Sequence, residues 1–189
     1  KKENLLNKNI PIVQESIYIT DILLPLMIII ITGTPGTGKT TLAKMLAKKV
    51  KIKYCDVNKI IKEYKLNESY DTERNTYIVD EKKLSKILLQ KIKEDKHLLI
   101  DSHLSHYLPK KYVDLCIVTK TNLKILRKRL EQRRYNPKKV KENIDAEIFE
   151  ICLTEAQDLG HKIILIDTSA KSINQCLSIL LHEINKNKR

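Results

Sequence analysis

Residues 27–46 read MIIIITGTPGTGKTTLAKML, and the order of parts in that stretch decides the fold. An apolar run, Ile28–Thr32, is followed by GTPGTGKT and then by an amphipathic segment. Gly33 to Thr40 matches G-x-x-x-x-G-K-[ST] in the strand–loop–helix context that a phosphate-binding loop requires. The chain holds only four glycines, and Gly33, Gly36 and Gly38 fall within this one loop. Glycine there lets backbone N–H groups turn inward to phosphate oxygens, while the helix N-terminus adds partial positive charge. The motif assigns the donor phosphates to Gly33, Gly36, Gly38, Lys39, Thr40 and Thr41, with the Thr40 hydroxyl as a ligand for Mg²⁺.

Outward from this loop, short apolar runs alternate with amphipathic stretches. KIKYC (51–55), HLLIDSH (97–103), VDLCIVT (113–119) and KIILID (162–167) read as further strands. Helices are expected after the loop (Leu42, Met45, Leu46 and Val50 inward), after an Asp56 N-cap, and over 80–95 (Leu84, Ile87, Leu88 and Ile92 inward). Another follows the fourth strand with Leu123, Leu126 and Leu130 in register. NPKKVKENIDAEIFEICLTEAQDLG reads as one long helix with Val140, Ile144, Ile148 and Ile151 on a single face, closed by Gly160. A last helix uses Ile173, Cys176, Leu177, Leu180 and Ile184. NESYDTERNTYIVD, by contrast, is polar and turn-rich. The alternation predicts an α/β domain with a five-stranded parallel sheet covered on both faces, its ligands at the carboxyl ends of the strands.

Asp101 stands at such an end, after four residues of strand, where P-loop enzymes place the acid on the Mg²⁺ side. A Ras-type GTPase is excluded. The one glycine outside the loop is Gly160, with Gln157 three residues before it, and TKTN (119–122) carries Asn122 where guanine recognition needs aspartate.

Composition narrows the class further. With 42% hydrophobic and 31% charged residues, 189 residues suit a single folded domain. The net charge of +13 is uneven. Lys120 to Lys141 holds ten basic residues against Glu131 alone, whereas Glu142 to Asp158 holds six acids and no Lys or Arg. Tyr135 is the single aromatic in the basic run, which leaves little base-stacking surface and argues against nucleic-acid binding as the primary role. Cys55, Cys116, Cys152 and Cys176 have no metal-like spacing and read as buried thiols in a reducing cytoplasm. Residues 1–26 form a charge-balanced leader or extension; Asp21 and Pro25 interrupt its apolar end, so neither signal peptide nor membrane span is expected. The kinase domain proper is expected over 27–186.

The chain resembles the adenylate-kinase-like nucleoside monophosphate kinases. More narrowly, it is similar to the CINAP-type family, the sixth adenylate kinase isoenzyme and its archaeal relatives. The resemblance is carried by GTPGTGKTT, KYCDV, YDTERNTYIVDEKKL, the D-x-H of Asp101 and His103, and RLEQRRYNPKKVKENIDAEIFEI. It implies a P-loop nucleoside monophosphate kinase fold with an acceptor-binding segment over about 56–79 and a short lid over about 132–142. It implies ATP and Mg²⁺, an acceptor monophosphate (preferably AMP), and charge neutralisation by Arg133 with Arg129. It also places His103 near the γ-phosphate or an attacking water; its neighbour His106 reads from the sequence as a surface-loop histidine. The family pattern Arg-Gly-Tyr is here Arg133-Arg134-Tyr135, and Lys62 stands near an acceptor-gripping arginine. The resemblance further implies ATP hydrolysis and a transient, basic small-subunit ribosomal platform protein as partner, for which the acidic face of Asp145, Glu147 and Glu150 is a candidate. A ribosome-assembly ATPase with incidental kinase activity is therefore the rival reading. The chain is expected to act as a monomer.

Overall fold

The structure is a computed structural model that describes residues 27–72 and 76–186; the leader over 1–26 lies outside the described residues. β1 (Met27–Thr32) is buried at every position. It is the central strand of a five-stranded parallel sheet. In chain order the other strands are β2 (Lys53–Asp56), β5 (His97–Asp101), β6 (Leu115–Lys120) and β7 (Ile163–Asp167). Their spatial order is β2-β5-β1-β6-β7. Both neighbours of β1 therefore arrive by crossovers, from opposite sides. The order reverses at β1, which opens a crevice at its carboxyl end.

The isoleucine run in β1 reflects burial on both faces. Ile29 and Ile31 pack with Leu42 and Leu46 of α1 (Lys39–Lys49) and with Cys176, Leu180 and Ile184 of α7 (Ile173–Lys186). Ile28 and Ile30 point the other way. They meet Leu84, Leu88 and Ile92 of α3 (Glu81–Glu94), Ile60 of α2 (Val57–Glu63) and Ala156 of α6 (Ile151–Asp158). Asp56 caps α2 by accepting from Asn58 N at 3.0 Å, as its sequence position predicts. Among the described residues no helix is long and apolar enough to cross a membrane. The four cysteines are free thiols: three are buried, and Cys152 is half-buried.

Two segments depart from the sequence reading. Residues 67–79 carry β3 (Asn67–Asp71) and β4 (Thr76–Val79), an antiparallel pair in which Tyr70 faces Tyr77 with ring centroids 5.0 Å apart. Tyr70, Tyr77 and Ile78 are exposed, so this pair lacks the buried/polar alternation that marks a strand in sequence. The expected long helix is two helices, α5 (Pro137–Ile148) and α6, broken at Phe149 and Glu150. Glu150 adopts the left-handed conformation, φ 48° and ψ 38°. The break lets α5 pack against α4 (Leu123–Gln132) through Leu126, Leu130, Val140 and Ile144, while α6 turns onto the sheet. Ile148 and Ile151, expected inside, are 52% and 40% exposed. Leu123 is exposed as well.

Candidate active site

The loop leaving β1 is held in shape from outside. A Cβ at Gly33, where φ is +133°, would lie 2.3 Å from the Thr119 carbonyl oxygen. At Gly36, φ +97°, it would lie 2.8 Å from Leu126 Cδ1. At Gly33 the clash is with backbone and no other residue fits; at Gly36 any side chain would be strained by the positive φ and would push Leu126 aside. Three threonines then claim the loop's polar groups. Thr37 Oγ1 donates to Thr34 O at 2.8 Å and pairs with Thr119 Oγ1 at 2.6 Å. Thr168, after β7, donates its hydroxyl to Thr37 O at 2.6 Å. Arg129 Nη1 adds a bond to Gly36 O at 3.2 Å and another to Thr168 Oγ1 at 3.3 Å. With the Gly36 and Thr37 carbonyls held by Arg129 and Thr168, the Thr37 amide donating to Thr34 O, and α1 starting at Lys39 without a side-chain cap, the amides at the start of α1 are open to an anion.

Lys39 is 9% exposed, and its Nζ donates to Thr34 O at 3.0 Å. Burial pushes its pKa down to about 8, with Cys152 and Asp101 pulling the other way and Arg133 reinforcing the fall. An ammonium whose hydrogen bond among the described residues goes to a neutral carbonyl, in so dry a place, is short of a counter-charge, which a phosphate would supply. Asp101 is 4% exposed and sits in register with Asp56 of β2 and Ile31 of β1. Tyr54 donates its hydroxyl to Asp101 Oδ2 at 2.8 Å. Burial, then the Asp101 contact, raises the Tyr54 pKa far above the phenol range, so this donor keeps its proton. Thr40 and Thr41 are exposed at the start of α1.

His103 follows Asp101 on the loop after β5. Its side chain reaches solvent from a recess, where crowding, then the charges of Lys39, His106 and Lys139, hold its pKa down to about 4. It is a neutral imidazole at pH 7. His106 is not the surface residue the sequence suggests. It is 1% exposed, with Nδ1 2.8 Å from Thr32 Oγ1 and Nε2 2.9 Å from Glu155 Oε2. The cause is a tight 3-10 turn over Ser105–Tyr107 that folds beneath β1, fastened by Ser105 Oγ donating to Ile31 O at 3.0 Å.

Beside the loop opens a cleft of about 490 Å³, within the range of small-molecule sites. Gly36, Gly38 and Thr41 form its floor, and Arg129, Gln132, Arg133 and Thr168 stand around it with Lys171, Ile173 and Cys176. The lining holds three cations and no carboxylate. Arg133 is the C-cap of α4. Arg134 follows in the left-handed region at φ 57°, a conformation in which glycine would be unstrained. Lys62 is exposed in the last turn of α2. Of the residues singled out from sequence, Lys39, Asp101 and His103 cluster at the strand ends, and Arg129 and Arg133 face the cleft. Thr37, Thr119, Thr168 and Tyr54 were not legible as site residues, because nothing in a lone threonine or tyrosine marks a contact made 47 to 131 positions away.

A family model described as an AAA domain matches residues 29–150. The "Putative adenylate kinase" of Methanocaldococcus jannaschii is 38% identical over 162 residues, covering 86% of this chain and 88% of the relative. Adenylate kinase isoenzyme 6 homologues from Dictyostelium discoideum and Schizosaccharomyces pombe are 35% and 37% identical, over 77% and 80% of this chain and 82% and 86% of theirs. The chain belongs to the adenylate kinase isoenzyme 6 family. For this family member the expected P-loop kinase fold is also the observed one. Shikimate kinases from Acinetobacter baumannii and Bacteroides thetaiotaomicron superpose with TM-scores of 0.62 and 0.61 at 16% identity. The former match covers 87% of this chain and 96% of the neighbour, the latter 84% and 98%. At that identity the likeness speaks for fold alone. An adenylate kinase isoenzyme 6 relative with this cradle is a nucleotide-binding phosphotransferase of the adenylate-kinase type.

Proposed function

We propose that the chain is an ATP-dependent nucleoside monophosphate kinase that converts ATP and AMP to two ADP. The observation that carries this reading is the convergence of cations on one cleft. Arg129, Arg133 and Lys171 line it without a carboxylate among them, and Lys39 follows Gly38 of its lining, buried with a carbonyl as its hydrogen-bond partner. Such a site suits a polyanion transferring charge between two phosphates.

The donor's phosphates lie on the loop amides, with Lys39 against the β and γ groups and Thr40 and Thr41 at the helix start. The acceptor's phosphate oxygen attacks Pγ while the bond from Pγ to the β-bridging oxygen breaks, leaving ADP on both sides. An acceptor phosphate is ionised at pH 7, so no general base is needed. Alignment and charge neutralisation do the catalysis. Arg133 meets the migrating phosphoryl group, and its planar fork suits phosphate oxygens better than lysine. Arg129 shapes the loop through Gly36 O and Thr168 as well as adding charge. The residues present fit a magnesium–nucleotide complex. The Thr40 hydroxyl and the Asp101 carboxylate are hard oxygen donors of the kind that Mg²⁺ prefers. Mg²⁺ held there would neutralise phosphate charge. Residues 56–79 are proposed as the acceptor-binding segment and 132–142 as the lid.

A second reading is an ATPase that works on a basic protein partner, such as a small-subunit ribosomal protein. The neutral His103 beside Lys39 supports water positioning. The surface at the α5–α6 break supports a partner, because Phe149 and Ile148 are 69% and 52% exposed beside Glu147 and Glu150. Mass action on the products separates the two readings. Two ADP per ATP consumed with AMP present supports the kinase, and free phosphate independent of AMP supports the ATPase.

A further inference from the structure

Thr32 closes β1 one residue before the phosphate loop. Its hydroxyl has one proton, for which the His103 carbonyl and His106 Nδ1 compete, while the Cys152 thiol, kept protonated by burial, is a further hydrogen-bond partner that can donate to Oγ1. The His103 carbonyl oxygen lies 3.2 Å from Thr32 Oγ1, and His106 Nδ1 lies 2.8 Å from it. His106 decides between them. Its Nε2 is 2.9 Å from Glu155 Oε2 on α6, and since a carboxylate can only accept, Nε2 carries a hydrogen. When the ring is neutral, Nδ1 is a lone pair and takes the Thr32 proton. When the ring is protonated, Nδ1 donates to Thr32 Oγ1, and the hydroxyl proton is released to the His103 carbonyl.

We infer that His106 is a positioning residue: with Glu155 and Thr32 it forms a hydrogen-bond relay, running from α6 to the backbone of His103, that couples the ring's proton to the loop facing the phosphates. The kinetic part of this inference rests on the proposed phosphoryl-transfer site; the structural part does not.

The surroundings suit a relay rather than a packing histidine. Glu155 approaches the ring from α6 and Glu81 from α3, while His161 donates from Nε2 to His106 O at 2.7 Å. Tyr107 shares Glu155, and Cys152 of α6 faces Thr32. Burial lowers the His106 pKa below its ordinary value, with Glu155 opposing, so the ring is neutral at pH 7 and protonates on acidification. The turn does not depend on the ring for its place. Ser102 N donates to Ile31 O at 3.2 Å and Ser105 Oγ does so at 3.0 Å. Changes in the relay can therefore be made without dismantling the loop.

The test is histidine and carbonyl NMR on the full chain from pH 8 to pH 5, for the wild type, Glu155→Gln and Thr32→Val, alongside ATP hydrolysis over the same range. The expected result is a neutral Nε2–H tautomer of His106 at pH 8 and a His103 carbonyl ¹³C shift that follows the His106 titration. In Glu155→Gln both the titration and the carbonyl response move together to lower pH, and the acid limb of hydrolysis moves with them. In Thr32→Val His106 still titrates, but the His103 carbonyl no longer follows. An Nδ1–H tautomer, a His103 carbonyl indifferent to His106 in the wild type, or an unchanged response in Thr32→Val would each overturn the inference. A purely structural role would instead lower the melting temperature of both variants and leave the pH midpoints in place. If the wild type hydrolysed no ATP, the second, ATPase reading would fail; the NMR result would still decide the relay, and ADP formation from ATP and AMP would still decide the kinase.

Discussion

Replacing Lys39 by methionine should disable the enzyme and stabilise the empty protein. In the nucleotide-free fold burial pushes this ammonium from 10.5 to about 8. At about 1.4 kcal/mol per pKa unit, holding Lys39 charged in the fold opposes folding by about 3 kcal/mol. Against that stands the bond from Nζ to Thr34 O, worth about 1 kcal/mol. Thr34 O keeps the Thr37 hydroxyl and amide as donors after the substitution, so no carbonyl is orphaned. Lys39→Met should therefore gain about 2 kcal/mol at pH 7, a rise of about 4–8 °C in melting temperature for a chain of this size. The pH dependence gives the decisive sign. Between pH 8 and 10.5 the unfolded chain binds a proton at this lysine that the native state has released. Wild-type stability thus rises relative to the variant across that window, and the gap, full below pH 8, closes toward 10.5. Saturating Mg·ATP should reverse the order at pH 7, since ligand at a hundred times its Kd adds about 2.7 kcal/mol to a protein that binds it. Differential scanning fluorimetry of both proteins from pH 7 to 10, with and without nucleotide, measures all of this. A variant no more stable than wild type at pH 7, or a gap constant with pH, would refute the reasoning.

Tyr54→Phe removes the donor on Asp101 Oδ2 and should cost about 1–2 kcal/mol in urea unfolding while raising the Mg²⁺ concentration needed for half-maximal turnover. Gly33→Ala drives a Cβ to 2.3 Å from the Thr119 carbonyl at a φ of +133°; it should lower stability by about 2–4 kcal/mol and abolish nucleotide binding, read by calorimetry. Arg129→Ala should raise the KM for ATP about tenfold through loss of the Gly36 O and Thr168 contacts, and Arg129→Lys should not restore it, because the guanidinium geometry serves both acceptors.

The sheet was legible because its central strands β1, β5 and β6 are short, buried apolar runs set off by polar residues, while the edge strands β2 and β7, only partly buried, were legible from their place in the alternation with helices. The phosphate loop was legible because the chain concentrates its glycines there. The β3–β4 pair escaped because exposed tyrosines replace the buried face that would have marked it. The break at Glu150 escaped because a left-handed glutamate leaves no glycine or proline to read. It is held from outside the helix, by Glu147 accepting from Thr121 N at 2.8 Å and by the ion pair of Lys120 with Glu150 at 3.8 Å. His106 was misread for a related reason: spacing of three residues from His103 says nothing about a 3-10 turn until the β1 carbonyl that fastens it is in view. The threonine brace around the loop joins residues from three elements, and only the fold brings Thr37, Thr119 and Thr168 together.

The central claim is that the cradle serves transfer between nucleotides. Purified protein given Mg·ATP, alone and then with AMP, CMP, GMP or UMP, should be followed for ADP and free phosphate separately. The account predicts two ADP for each ATP consumed with AMP, at a rate far above hydrolysis and lost in Lys39→Met. ADP and phosphate appearing in equal amounts, whatever acceptor is added, would contradict it.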